Sequence, residues 1–168
     1  MDAYIIDACR TPRGRRNGGL AGVHPIDLCT VPMLAMVART GVDPRRIDDA
    51  IIGCVTETGE QGACVARAAV LAAGWPMEIP GVSLNRFCGS GQTAVNLAAQ
   101  GAAAGAYDLV YAGGVESMSR CAMGADMGPL PASLTERYPL VPQGLSAEMI
   151  AERWNYSRQR LDEYSLES

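Results

Sequence analysis

The residue best placed for covalent chemistry is Cys88, in the stretch Leu84-Asn85-Arg86-Phe87-Cys88-Gly89-Ser90-Gly91. An apolar run ends just before it and an alanine-rich periodic segment begins just after it, so a strand should give way to a helix at the sulfur. A helix N-terminus carries partial positive charge and unpaired amides. A thiolate held there is stabilised and its pKa is lowered. Gly89 and Gly91 would let backbone approach backbone and leave room for a carbonyl group. The Cys88 amide would face the oxyanion of an acyl group carried on the sulfur. Ligands of parallel sheets sit beyond the carboxyl ends of strands, which is where Cys88 falls. On these residues alone two readings stand together: a nucleophile, or a small apolar residue at a tight junction.

Other chemistries fit less well. The six cysteines, at 9, 29, 54, 64, 88 and 121, show no C-x-x-C spacing, and His24 is the single histidine. That inventory argues against a zinc site. Apart from Cys88, the cysteines read as small buried apolar residues. Gly89-Ser90-Gly91 invites a dinucleotide reading, but Ala94 stands where a third glycine belongs, and the stretch follows the third strand rather than the first. Arg10, Arg13, Arg15 and Arg16 read as a solvated basic loop, with a phosphate contact as the minority reading. The net charge of -4 gives no basic field for nucleic acid.

The elements that must position Cys88 follow from the apolar pattern. Strands are predicted over Tyr4–Ala8, Ala50–Val55, Val82–Phe87 and Asp108–Ala112. Helices are predicted over Ile26–Thr40, Cys64–Ala73 and Ser90–Ala104, with Gly41, Gly74 and Gly105 closing them. Pro32 should kink or shorten the first helix. Strand and helix alternate, which implies an α/β domain with a mostly parallel sheet and helices on both faces. Residues 117–144 are rich in Met, Gly and Pro and read as an irregular excursion. Helices follow over Leu145–Trp154, with Ser146 as its cap, and over Arg158–Leu166, capped by Ser157. The domain division is therefore 1–116 for an α/β core and 117–168 for the start of a loop or lid region. No run approaches a membrane span. The start lacks a secretory leader pattern, which makes the cytoplasm the expected compartment.

Two motifs in register carry a family resemblance. Asn85-Arg86-Phe87-Cys88-Gly89-Ser90-Gly91 resembles the acyl-cysteine motif of the thiolases, and Gly113-Gly114-Val115-Glu116-Ser117-Met118-Ser119 resembles that family's second amino-terminal signature. Arg10-Thr11-Pro12, Ala66-Arg67, Ser146-Ala147-Glu148 and Tyr156-Ser157-Arg158 are also similar to thiolase positions, so the likeness runs over almost the whole chain. It implies a thiolase-like layered fold plus the start of a loop domain over the CoA pantetheine. It implies an acyltransferase that cleaves or forms the C2–C3 bond of a 3-ketoacyl-CoA through a cysteine thioester. Cys88 would be the nucleophile and its amide an oxyanion donor. Asn85, Phe87, Gly89 and Gly91 would support the motif, with Glu116 holding loops rather than acting as a base. CoA would be a substrate, with no metal or redox cofactor. The partners implied are a second copy or a dimer of dimers, the third strand pairing across the interface.

The family's Gly-His-Pro histidine and second cysteine come from a carboxy-terminal half, and neither motif stands in this sequence. The chain alone should therefore lack full turnover. His24 reads as a loop histidine at a helix entrance, and the setting of Cys121 does not match the second cysteine. Gln92 stands where thiolases commonly carry an apolar residue. Pro142-Gln143 stands where short-chain biosynthetic members carry His-Met, which makes Gln143 a substrate-binding candidate and tilts the expectation toward β-oxidation-type degradation. The competing readings are a non-catalytic thiolase half serving as an assembly subunit, and a ketoacyl synthase-like condensing enzyme.

Overall fold

The computed structural model describes residues 2–168. Its centre is strand β1, Asp49–Gly53, paired in parallel with β2, Gly81–Leu84, on one side and β3, Val110–Gly114, on the other. In register, Ile51 stands opposite Val82 and Ala112. Alternation along β1 sends successive side chains to opposite faces. Ala50 and Ile52 pack with Cys29, Met33, Val65, Ala66, Ala69 and Val70, while Ile51 packs with Ala94 and Ala98. The first group comes from helices α1, Pro25–Thr40, and α2, Val65–Ala72. The second comes from α3, Ser90–Ala104. A parallel sheet with helices on both faces is the result, and burying Ile52 alone is worth about 1.5–3 kcal/mol.

Local chemistry sets the helix ends. His24 Nδ1 accepts the Ile26 N–H at 3.2 Å, proline occupies the first turn of α1, and Gly41 closes it at φ 69. Pro32 does not shorten this helix, which runs unbroken over 16 residues. Its ring removes one amide, and the packing of Cys29 and Met33 on either side of it outweighs that loss.

The expected strand over Tyr4–Ala8 is absent. These residues carry no regular structure, and Ile5 is 81% exposed. An extended segment becomes a strand only where a neighbour receives its amides and carbonyls. Here a groove of about 1760 Å³ separates the segment from β3, lined by residues such as Ile6, Cys9, Leu109 and Tyr111. Asp7 is tied to Arg39 of α1 at 2.8 Å, and Cys9 Sγ to the Pro32 carbonyl at 3.5 Å.

Two compact units divide the chain, the first ending at Met127 and the second comprising Gly128–Ser168. Residues just past β3 belong to the first: the Ser117 amide donates to Gln61, and Arg120 pairs with Glu60. The second unit holds α4, Ala132–Thr135, α5, Gln143–Arg153, and α6, Arg158–Glu167. Ser157 caps α6 by accepting the Arg160 amide. Ser146 does not cap α5. The helix starts earlier, after Pro142, and Ser146 lies inside it with its hydroxyl on the Pro142 carbonyl. Among the described residues, no helix is long and apolar enough to cross a membrane, and no group of His, Cys, Asp and Glu is arranged to hold a metal ion.

Candidate active site

Cys88 lies just ahead of α3, whose N-cap is Gly89 at φ -90. What fixes this helix start is a glycine the sequence reading passed over. A Cβ on Gly53, the last residue of β1, would come within 2.3 Å of the Ser90 carbonyl carbon and 2.4 Å of the Gly91 nitrogen. The end of β1 thus touches the first turn of α3 backbone to backbone, which only glycine permits. A Cβ on Gly89 would meet nothing nearer than 3.4 Å, and one on Gly91 nothing nearer than 3.9 Å. The close approach expected of Gly89 and Gly91 therefore belongs to Gly53, and a Cβ on Gly114 of β3 would likewise come within 3.2 Å of the Gly91 Cα.

The loop before Cys88 is held by side chains. Phe87 sits at φ 48, a left-handed conformation that costs a residue with a Cβ about 1–2 kcal/mol. Asn85 Oδ1 accepts the Phe87 amide at 2.8 Å, and Asn85 Nδ2 donates to the Val55 carbonyl at 2.9 Å. Ser90 Oγ accepts the Arg86 amide at 2.8 Å and donates to the Phe87 carbonyl at 2.6 Å. Phe87 itself is exposed, so its backbone and not its ring makes the loop. Among the described residues the Cys88 amide has no acceptor, which leaves it free to receive an oxygen from a ligand.

Exposure separates Cys88 from the other thiols. It is the one exposed cysteine of the described chain, whereas Cys29, Cys54 and Cys121 are buried and Cys9 and Cys64 are half-buried. Burial pushes the Cys29 thiol up to about 12. Burial, followed by the charge of Glu116, does the same to Cys54. Neither can supply thiolate near neutral pH. Glu116 accepts the amides of Val55 at 2.8 Å and Thr56 at 3.3 Å, and Gln61 Nε2 at 2.7 Å. Burial, then the charges of Asp126 and Glu116, holds the Glu57 carboxyl above its ordinary range.

Other candidates lie elsewhere. His24 serves α1 as its N-cap and stands 3.8 Å from Glu60. Gln92 is exposed on α3. Gln143 is the exposed first residue of α5, in the second unit. The large groove takes in Val95, Ala98 and Ala102 of α3 but none of residues 85–91, so the Cys88 thiol opens to the surface beside the helix start. Ser90 and Gln61, like Gly53, escaped the sequence reading. The glutamine in its glycine-rich turn has no local signal because Glu116 and Ser117 are distant in sequence, whereas Ser90 bonds Arg86 and Phe87 close by.

Comparison with known proteins sets these features in a family. Residues 3–168 match the family described as the thiolase N-terminal domain. The chain is 41% identical to the steroid 3-ketoacyl-CoA thiolase of Mycobacterium tuberculosis, over 99% of this chain and 44% of that protein. It is 39% identical to the beta-ketoadipyl-CoA thiolase of Pseudomonas aeruginosa, over 99% of this chain and 46% of that one. The crystal structure of the Bacillus anthracis acetyl-CoA acetyltransferase is similar at a TM-score of 0.78 and 32% identity, covering 98% of this chain and 45% of that one. The chain thus spans less than half the length of these relatives. With the fold, the Cys88 motif and the Glu116 signature all in register, the chain belongs to the thiolase family and carries that family's amino-terminal domain.

Proposed function

We propose that this chain supplies the nucleophile of an acyl-CoA acyltransferase that cleaves a 3-ketoacyl-CoA in the degradative, β-oxidation direction. The Cys88 thiolate attacks the 3-keto carbon. The oxyanion so formed is met by the Cys88 amide. As the carbonyl re-forms, the C2–C3 bond breaks and its electron pair leaves on acetyl-CoA, which takes up a proton at C2. The shortened acyl group remains on sulfur as a thioester until the thiol of free CoA attacks it, releasing a shorter acyl-CoA and the thiolate. This sequence consumes CoA as a substrate and needs no metal or redox cofactor. The base that takes the Cys88 proton and the acid that protonates C2 would come from a carboxy-terminal half. That half would also cover the open groove beside β3, and the working protein would be a homodimer or homotetramer. Gln143 is the candidate contact for the acyl chain.

The observation that carries this reading is the single exposed cysteine set beside a helix start with its amide unclaimed. The test is intact-mass analysis after incubation with acetoacetyl-CoA, with the carboxy-terminal half of a related thiolase supplied in trans. The expected result is a mass gain of one acetyl group, lost in Cys88→Ala and reversed by CoA. No adduct under these conditions would overturn the catalytic reading and leave an assembly subunit in its place.

A further inference from the structure

We propose that Gln61 is a positioning residue for Cys88, acting through Glu116, Val55 and Asn85. The proposal rests on the reading of Cys88 as the reactive thiol. Gln61 is fully buried in the 3-10 turn Gly59–Gln61 and uses both ends of its amide. Its Nε2 donates to the Thr56 carbonyl at 2.9 Å and to Glu116 Oε1 at 2.7 Å, and its Oε1 accepts the Ser117 amide at 2.6 Å. The Glu116 carboxylate, thus oriented, accepts the amides of Val55 and Thr56. Both amides and one carbonyl of the turn leaving β1 are thereby claimed. The Val55 carbonyl accepts the Glu57 amide at 3.0 Å within the turn and Asn85 Nδ2 at 2.9 Å from the Cys88 loop. Asn85 Oδ1 then takes the Phe87 amide at 2.8 Å, the residue whose backbone stands at φ 48 and hands the chain to Cys88.

Charge makes the path directional. A carboxylate accepts only, and its bonds to N–H groups are about twice as strong as neutral ones. An amide in place of Glu116 would aim an NH₂ at one of the donors it now receives. A carboxylate in place of Gln61 would face Glu116 and abandon the Thr56 carbonyl. Either change frees the turn at Val55, and with it Asn85's only anchor outside its own loop. Phe87 then relaxes out of its left-handed backbone, and Cys88 swings from the α3 N-terminus.

The experiment is alkylation of Cys88 in this chain, resolved by peptide mass, with anionic iodoacetate and neutral iodoacetamide in parallel. The ratio of the two rates reports the positive field at the sulfur, and each variant's circular dichroism and urea midpoint are measured beside it so that only folded protein is compared. Asn85→Ala, at an exposed position, is the decisive variant because it removes the bond to Val55 without emptying a buried site; Glu116→Gln and Gln61→Glu test the buried end. Each should lower the iodoacetate-to-iodoacetamide ratio by about two- to fivefold, the size of a helix-terminus interaction. A ratio equal to the parent's in Asn85→Ala, or in a folded Gln61→Glu, overturns the proposal. If the parent forms no acyl adduct while Asn85→Ala lowers the ratio, the positioning path stands and the proposed function fails.

Discussion

The loop that carries Cys88 and the stretch Tyr4–Ala8 lie at opposite margins of one sheet. The loop continues from β2 and is fastened by Asn85 to the turn after β1, by Ser90 to its own backbone, and by Gly53 to the helix that follows. The amino-terminal stretch lies across a groove from β3, and Ile5 and Ile6 point largely into solvent. Neither is part of a strand ladder, so pairing does not distinguish them. The difference is in where their side chains reach. The loop is tied within itself by Ser90 and by Asn85 to Phe87, and Asn85 alone carries it to the turn after the central strand, whereas the other stretch is tied through Asp7, and through Cys9 just after it, to one helix. One margin of the sheet is thus joined to its centre, and the other to an outer helix.

The largest expected effect breaks that reach. Gly53→Ala sets a Cβ within 2.3 Å of backbone at Ser90, and backbone cannot step aside as a flexible side chain would. The variant should lose about 3 kcal/mol in urea unfolding, the upper range of overpacking. A loss under about 1 kcal/mol would show that β1 does not fix the start of α3.

A second effect comes from pH. Burial holds the Cys29 and Cys54 thiols at about 12, above their unfolded value. The folded state therefore keeps protons that the unfolded state gives up. The stability this confers is complete below pH 9 and is lost as pH rises toward 12. At pH 10 Cys29 alone should have surrendered on the order of 1 kcal/mol. Cys29→Ala should flatten the decline between pH 9 and 12. An identical slope with and without this thiol would mean it is not shielded from water. The exposed Cys88, by contrast, should be the first cysteine alkylated at pH 8.

A third and smaller effect concerns Phe87. Replacing it with valine puts a β-branched residue at φ 48 and should cost about 1 kcal/mol, whereas Phe87→Gly should stay within about 0.5 kcal/mol of the parent. Equal losses in both variants would assign the loop's stability to the phenylalanine ring rather than to its backbone.

Much of this was legible in the residues themselves. The apolar runs predicted over Ala50–Val55 and Asp108–Ala112 become the strands Asp49–Gly53 and Val110–Gly114, and the alanine-rich stretch from Ser90 becomes a helix. These readings succeed because each rests on local periodicity and a local stop such as Gly105. Tyr4–Ala8 has the same apolar texture and fails as a strand, because strand formation depends on a partner that local sequence does not encode. The place of Cys88 just before a helix was legible in the sequence. Two groups behind its loop were not: Gln61 and Gly53 act on residues brought near only by the fold, while Ser90 bonds its own neighbours Arg86 and Phe87. Pro32 misled in the opposite sense, since the breaker it represents is overruled by packing on both sides.

The smallest effect is the sharpest test of the comparison. In this chain Ile5→Ser and Ile6→Ser should each change unfolding free energy by no more than about 0.5 kcal/mol, since solvent already covers these side chains. Backbone amides of Tyr4–Ala8 should exchange with deuterium far faster than those of β1, because no ladder protects them. If a carboxy-terminal half fills the groove, its arrival should slow exchange at Tyr4–Ala8 and make Ile5→Ser costly, while leaving Asn85–Phe87 as it was. Slow exchange in the chain alone would mean the stretch already has a partner, and the contrast between the two margins would vanish. Exchange that stays fast with the other half bound would assign the groove's apolar lining to something other than a docked segment. Either result would separate the stretch's apolar composition from its role in assembly, without touching the bonds that hold Cys88.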